Sequence, residues 1–336
     1  MNKYKIIQIV CWLIVFVVFL GLAIWFLIGN RFRFMNSYGL ELLMGPYEEQ
    51  GRYTVEVTDV DGLDIHWTAG EMKLIPYESD EILLVEYAQR ELKEDEKLTY
   101  STSDGSFTVS YCELTKNMRN NMPSKKLEVF LPKKLAAGLR DVKLDCVSAD
   151  VDVKELQVDK LYVKTVSGEV YLTDISADEG ECHSTSGDMR LENLRIPELS
   201  IKTVSGEIRA DDLKAAYVTA RTTSGSTRLN ATISEDLEYE TISGDFNFQG
   251  SLKKISASST SGAMNISTKA APAAFGIKTV SGYVRLTMPA FDDFVLYKKT
   301  VSGSFDCEIP VMVQKESDTP YRIMTTSGDI EILKAE

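Results

Sequence analysis

Three short stretches decide the fold: Thr165-Val-Ser-Gly-Glu-Val170, Ser184-Thr-Ser-Gly-Asp-Met189 and Thr203-Val-Ser-Gly-Glu-Ile208. Each carries a Ser-Gly pair, and the pairs lie 19 residues apart. Followed along the chain, the pair stands at Ser167-Gly168, Ser186-Gly187, Ser205-Gly206, Ser224-Gly225, Ser243-Gly244, Ser261-Gly262, Ser281-Gly282, Ser302-Gly303 and Ser327-Gly328. The Ser-to-Ser steps are 19, 19, 19, 19, 18, 20, 21 and 25 residues, and a degenerate copy, Ser148-Ala149, precedes the first by 19. Self-similarity at a fixed short period marks a repeat architecture.

Aligned on the Ser, the copies form columns. Six residues before it stand Leu161, Leu199, Val218, Leu237, Ile255 and Phe275, with Gly180 the exception. Four before it stand Val163, Cys182, Ile201, Ala220, Tyr239, Ala257, Ile277 and Ile323, broken by Lys298. Two before it the residue is always Thr or Ser, from Thr165 and Ser184 to Thr325. Three and five after it come pairs such as Val170 and Leu172, Ile208 and Ala210, Val284 and Leu286. Apolar residues at every second position, rich in β-branched types, predict two short β-strands per repeat and exclude helix.

The apolar positions are even before the Ser and odd after it, so one residue is absorbed at the turn. Gly is expected there as the residue that tolerates positive φ. By parity the Ser, and the Thr two before it, are expected to point inward. Two strands in 19 residues cannot bury their faces alone, but coils stacked about 4.8 Å apart can. The reading is an all-β chain, a β-solenoid of ~19-residue coils. A β-propeller is the alternative. Its support is the residue before the Ser, which runs Val166, Thr185, Val204, Thr223, Ile242, Thr260, Val280, a doubled period.

Outside the regular repeats the organisation is coarser. Leu63–Ile75 matches the repeat with Ala69-Gly70 in place of Ser-Gly, and Ile82–Tyr87, Ser106–Tyr111 and Leu127–Leu131 read as further strands. Ile6–Ile28 holds one polar side chain, Gln8, and at about 1.5 Å per residue is long enough to cross roughly 30 Å of hydrocarbon as one transmembrane helix. No A-x-A-like cleavage site follows it. The expected layout is a cytoplasmic tail at 1–5, a membrane helix at 6–28, a tether or cap at 29–50, an irregular β region at 51–145 and the regular solenoid at 146–336. The chain is 44% apolar, enough for a sizeable core. Lys3 and Lys5 are the only charges before position 30, so the body keeps all 50 acidic residues against 35 basic ones. Such a surface repels nucleic acid.

The run of T-[VT]-S-G-[DE]-[VIM] coils after Leu131-Pro132 resembles the bacterial adhesin-type β-strand-repeat domains of unknown function over roughly residues 50–336. With the N-terminal span, the chain also resembles LiaG-type membrane-anchored members. The resemblance implies a β-solenoid on the outer side of a bacterial membrane. The span predicts a single-pass anchor, and a cell-surface glycan or envelope protein is the expected partner. It carries no catalytic residues over.

The residues themselves point away from catalysis. A nucleophilic Ser needs a nearby base. The chain has two histidines, His66 and His183, for nine equivalent serines. The acidic column two after the Ser holds Glu169, Asp188, Glu207, Asp245 and Asp329, and a stacked oxygen site for a cation is conceivable there. Arg190, Arg209, Arg228 and Arg285 share that face and are expected to bridge the carboxylates instead. Cys146, Cys182 and Cys307 fall in inward columns, where a buried thiol fits and no disulfide is expected. Tyr162, Tyr171, Tyr217 and Tyr283 are the expected exposed aromatics, able to stack on sugar rings. The expectation is thus no enzyme, no metal and no cofactor. An adhesin, scaffold or envelope-stress accessory comes first, then a regulatory partner of a membrane signalling complex, then a polysaccharide lyase or hydrolase.

Overall fold

The computed structural model describes residues 46–57, 60–112, 123–314 and 318–335. The expected tail and membrane helix, and most of the tether, lie outside the described residues. Among the described residues no helix is long and apolar enough to cross a membrane. The chain divides into two units, Met1–Glu48 with Gln89–Glu91, and Glu49–Ala88 with Leu92–Glu336. The second carries the solenoid.

Its regular part is one parallel ladder. Strand β7 (Leu139–Lys164) pairs with β8 (Val170–His183) residue for residue at an offset of 19, as Val151↔Val170 and Val163↔Cys182 show. The same offset carries β8 onto β9 (Met189–Glu192) and β10 (Glu198–Lys202), these onto β11 (Ile208–Arg221), and β11 onto β12 (Thr227–Glu240), where it slips to 18 from Leu213 to Ala215 and then recovers. Coil-on-coil parallel pairing is the β-solenoid and excludes the propeller, whose blades need antiparallel strands. The ladder continues through β13 (Phe246–Ser259), β14 (Met264–Thr268), β15 (Ala274–Thr279) and β16 (Val284–Met288). The expected inward columns form the core, with Val163, Leu172, Ile201, Ala220, Tyr239 and Leu286 at 0% exposure.

Each coil has three straight segments rather than two. Pairing between β7 and β8 breaks at Lys154/Leu156 and again at Val158/Lys160, so the strand after the Gly bends twice before the next Ser-Gly turn. The first bend is a column of left-handed residues, Glu155, Asp174, Asn193 and Asp212, with φ of 52–56°. Asp and Asn tolerate that conformation better than other non-glycine residues.

The Ser-Gly turn differs from expectation in two ways. The Thr points inward and is buried, and its Oγ1 accepts from the Gly amide, as for Gly206 N to Thr203 Oγ1 at 3.0 Å. The Ser points outward, because the chain is already turning at that residue. Ser186 Oγ donates to Val166 O of the preceding coil at 3.2 Å. Nor is positive φ the reason for glycine. Only Gly70, Gly105, Gly250 and Gly303 are left-handed among the described glycines. The ladder glycines stack backbone to backbone: a Cβ on Gly187 would lie 1.8 Å from Gly168 O, and one on Gly206 2.1 Å from Gly187 O. Close approach selects the residue.

At the N-terminal end the solenoid is closed off. Strand β2 (Gly62–Tyr77) pairs in parallel with β7 on one side, with Ala69↔Ser148 and Gly70↔Ala149 aligning the degenerate copies. Its other side takes β5 (Ser106–Ser110) and β6 (Lys125–Pro132). Strands β3 (Glu81–Ala88) and β4 (Thr99–Ser103) then add antiparallel to β6 and β5, and β1 (Glu48–Glu56) pairs with β3. Beneath this cap Lys125 and Glu86, both at 0% exposure, form an ion pair at 2.7 Å. The ammonium also sits 3.9 Å from the Tyr111 ring centroid, and Glu86 accepts from Leu98 N at 3.0 Å. Each charge is compensated, as burial requires.

The C-terminal end is not in chain order. Strand β17 (Val295–Lys299) and β18 (Phe305–Cys307) belong to the Ser302-Gly303 coil, and β19 (Met312–Gln314) pairs along β17. The last coil, β20 (Tyr321–Met324) and β21 (Ile330–Lys334), inserts between that coil and the one before it. Thus β20 pairs with both β15 and β17, and β21 with both β16 and β18. Thr326–Lys334, though last in sequence, is therefore not the open edge of the ladder. The end rung is the Ser302-Gly303 coil, with β19 laid along its first strand; Val301 of the coil (76%) and Met312 of β19 (66%) are exposed there. The 25-residue last step is long because the chain must return past a rung already laid down.

Cys146, Cys182 and Cys307 are free thiols. Burial pushes the Cys146 and Cys182 thiols up to about 12, so both stay protonated and unreactive in the native state. At pH 8 a thiolate-selective reagent is expected to modify them only after unfolding. Native labelling of either at the rate of a free thiol, mapped by mass spectrometry, would contradict this packing. The same shift means their burial stabilises the fold fully below about pH 9 and less as pH rises toward 12.

Candidate binding groove

The second bend of each coil is lined by small residues, and a recess runs along it. Its floor is Val158, Ala177, Pro197, Ala215 and Ala216, with Gly138 and Leu139 at one end and Thr232 and Ser234 at the other. Larger side chains in these columns would fill the space. The recess encloses about 700 Å³. It spans six coils, five steps of about 4.8 Å, or about 24 Å.

Its polar groups are unevenly placed. Asp159 and Asp178 lie toward one end, and Arg195 and Lys214 cross the middle. Arg195 is held rigidly, donating from Nη1 to Asp212 O at 2.8 Å and from Nη2 to Asp212 Oδ2 at 2.9 Å. Lys214 is exposed and free to reach a ligand. Ser176 and Ser234 add hydroxyls; Ser234 Oγ lies 3.5 Å from Ala215 O. The recess has the length and mixed chemistry to hold an extended chain along the solenoid.

Around the corner, Tyr217 is 51% exposed and borders a smaller recess of about 180 Å³ with Glu179, Glu181, Glu198 and Thr219. The other expected aromatics are engaged. Arg190 lies 5.1 Å from the Tyr171 ring centroid and donates to its hydroxyl at 2.9 Å. Arg285 lies 5.2 Å from the Tyr283 ring, and that hydroxyl donates to Glu331. Tyr162 packs edge-on against His183 at 5.9 Å. Of the four, Tyr217 is the one presented to solvent as a stacking surface.

The acidic column is likewise occupied. Asp188 Oδ1 accepts from Glu207 N at 2.8 Å, Asp245 Oδ1 from Ala263 N at 2.9 Å, and Asp329 Oδ1 from Ser304 N at 2.6 Å. Each carboxylate caps an amide of the neighbouring coil. Arg190 reaches Glu169 at 3.7 Å, as expected, but Arg209 pairs with Asp211 at 2.8 Å and Arg285 with Glu331 at 2.7 Å, outside the column. The nine serines line one exposed edge, and among the described residues no hydrogen bond joins any of them to a histidine.

The groove itself was not visible as a motif. Its signal is a run of small residues ten and eleven after the Ser, Ala177, Ala215 and Ala216, which reads as ordinary strand until the second bend is known.

Stacked 19-residue coils, hydroxyl-and-glycine turns and a lateral groove define a repeat-built β-solenoid. The chain belongs to the Toastrack DUF4097 family, whose pattern matches residues 59–250 and 196–333. No curated protein matches it. Among solved structures it is similar to a Parabacteroides distasonis protein named "putative adhesin", at 12% identity and a TM-score of 0.46, over 85% of this chain and 97% of that one. It is also similar to a "putative lipid binding protein" of the same organism, at 15% identity and a TM-score of 0.44, over 85% and 96%. Likenesses this distant bear on neither ligand nor activity.

Proposed function

We propose that this protein is a non-catalytic, membrane-anchored solenoid displayed on the outer side of a bacterial membrane, where its lateral groove holds an extended cell-surface polymer. The groove carries the reading: a recess about 700 Å³ in volume that crosses six successive rungs suits an extended chain better than a compact metabolite. The uniform turns support a non-catalytic role, since the Ser hydroxyls meet carbonyls rather than bases. Ile6–Ile28 supports anchorage.

Protease shaving of whole cells tests display, and Lys214→Glu tests the groove. Digestion of the solenoid on intact cells is expected, and Lys214→Glu should lower retention on purified cell-wall glycan by about tenfold, the effect of one lost charged contact at a binding surface. Protection of the solenoid in intact cells, or unchanged retention by Lys214→Glu, would count against display and groove respectively. A regulatory role would instead return one specific membrane protein in cross-linking from intact membranes.

A further inference from the structure

We infer that Asp64, His66 and Asp145 form a site for a divalent transition-metal ion of the zinc class, outside the regular repeats and separate from the groove. Asp64 and His66 are two apart on β2, so both project from its outer face. Asp145 lies directly opposite His66 on β7. The ligand atoms of the three side chains lie within 4.8 Å of one another.

The distances suit a small ion. His66 Nε2 lies 3.3 Å from Asp64 Oδ1. Two ligands at zinc–nitrogen and zinc–oxygen bond lengths of about 2.0–2.1 Å stand roughly that far apart along a tetrahedral edge. Asp145 Oδ2 stands nearer the other ring nitrogen, 3.8 Å from Nδ1, so one ion shared by all three takes a single imidazole nitrogen and draws one carboxylate in from within 4.8 Å. A nitrogen with two carboxylates is a donor set for zinc rather than for calcium, which takes oxygen throughout.

A second observation sets this triad apart from an ordinary surface ion pair. Asp64 Oδ1 has almost no solvent contact, although its side chain as a whole is 27% exposed, and His66 Nε2, 3.3 Å away, makes no well-formed hydrogen bond to it. A buried carboxylate oxygen left without a donor is costly, and a bound cation would satisfy it. Asp64 also lines a recess of about 390 Å³ whose other walls include Arg140, Lys143 and Lys160. Lys143 Nζ stands 4.0 Å from Asp145 Oδ2 and competes with the ion.

The test uses the full chain in mild detergent, stripped of metal with a chelator and titrated with Zn²⁺ calorimetrically and with Co²⁺ by visible absorption. One Zn²⁺ per chain is expected. His66→Ala and Asp64→Asn should weaken binding by at least the roughly 10–100-fold that loss of a mere supporting group costs at metal sites. Lys143→Ala should tighten it. Glu181→Gln, beside the other histidine, should change nothing. His66 is half-exposed, so its variant should melt as the parent does. Absence of Zn²⁺ binding by the parent chain, binding unchanged in His66→Ala, or binding lost in Glu181→Gln instead would each overturn the assignment.

Discussion

Gly206→Ala should abolish the cooperative fold or lower its melting temperature by more than about 10 °C. The new Cβ would stand 2.1 Å from Gly187 O, and the oxygen belongs to backbone that is itself paired into the ladder. Nothing flexible can give way. Relief requires parting two coils that share parallel hydrogen bonds along three segments, an overpacking worse than the usual 1–3 kcal/mol. At about 2–4 °C per kcal/mol for a domain of this size, a loss near 5 kcal/mol gives the shift stated. Two variants isolate the cause. Gly276→Ala introduces the same methyl in β15, where nothing lies within 4 Å. Ser205→Ala removes a hydroxyl from the same turn, but one that is exposed and only 3.4 Å from its acceptor. Both should stay within about 0.5 kcal/mol of the parent, the range of ordinary surface changes. Equal melting of Gly206→Ala and Gly276→Ala would mean that the ladder is not sterically closed.

That contrast shows what could be read in advance. The alternation of Val163, Thr165, Val170 and Leu172 made coils and core legible, because parity in a strand has one physical meaning. The role of the Gly was not, because a residue chosen for close approach and one chosen for positive φ look alike in one dimension. The outward turn of Ser205 was missed for a related reason: parity holds only while the strand is straight. The bend at Asp174 and Asn193 had a signal, an Asp/Asn column seven after the Ser, masked by Glu155 and Ala231. The Lys125–Glu86 pair had none, since two charged residues 39 apart carry no mark of mutual burial. Nor could the triad at His66 be seen before β2 was set beside β7.

Coil order was the other thing spacing could not reveal, and it leads to the second large effect. Deleting residues 318–336 should unfold both C-terminal rungs, not one. In a solenoid threaded in order, removing the last coil exposes a single interface, and the rest stands. Here the deleted coil is internal. Its loss removes the partner of β15 and β16 on one side and of β17 and β18 on the other. It also removes Ile323, Ile330 and Ile332, each at most 1% exposed, whose burial is worth about 1.5–3 kcal/mol apiece. The ring of Tyr321 leaves the cluster with Phe275, Phe291 and Phe294, to which it lies 5.1–5.4 Å away. Hydrogen exchange should therefore show amides of 295–307 losing protection altogether and those of β16 losing much of it, while β7 to β12 keep theirs. The β-ladder of the truncated chain would be left with a slot one rung wide, since β17 and β18 have no other neighbour on that side. A separate peptide spanning 318–335 should enter that slot and restore protection to 295–307. Retained protection of 295–307 without the peptide would show that the end rung stands on β19 and its own turn, and that the inserted coil only fills a gap the fold tolerates.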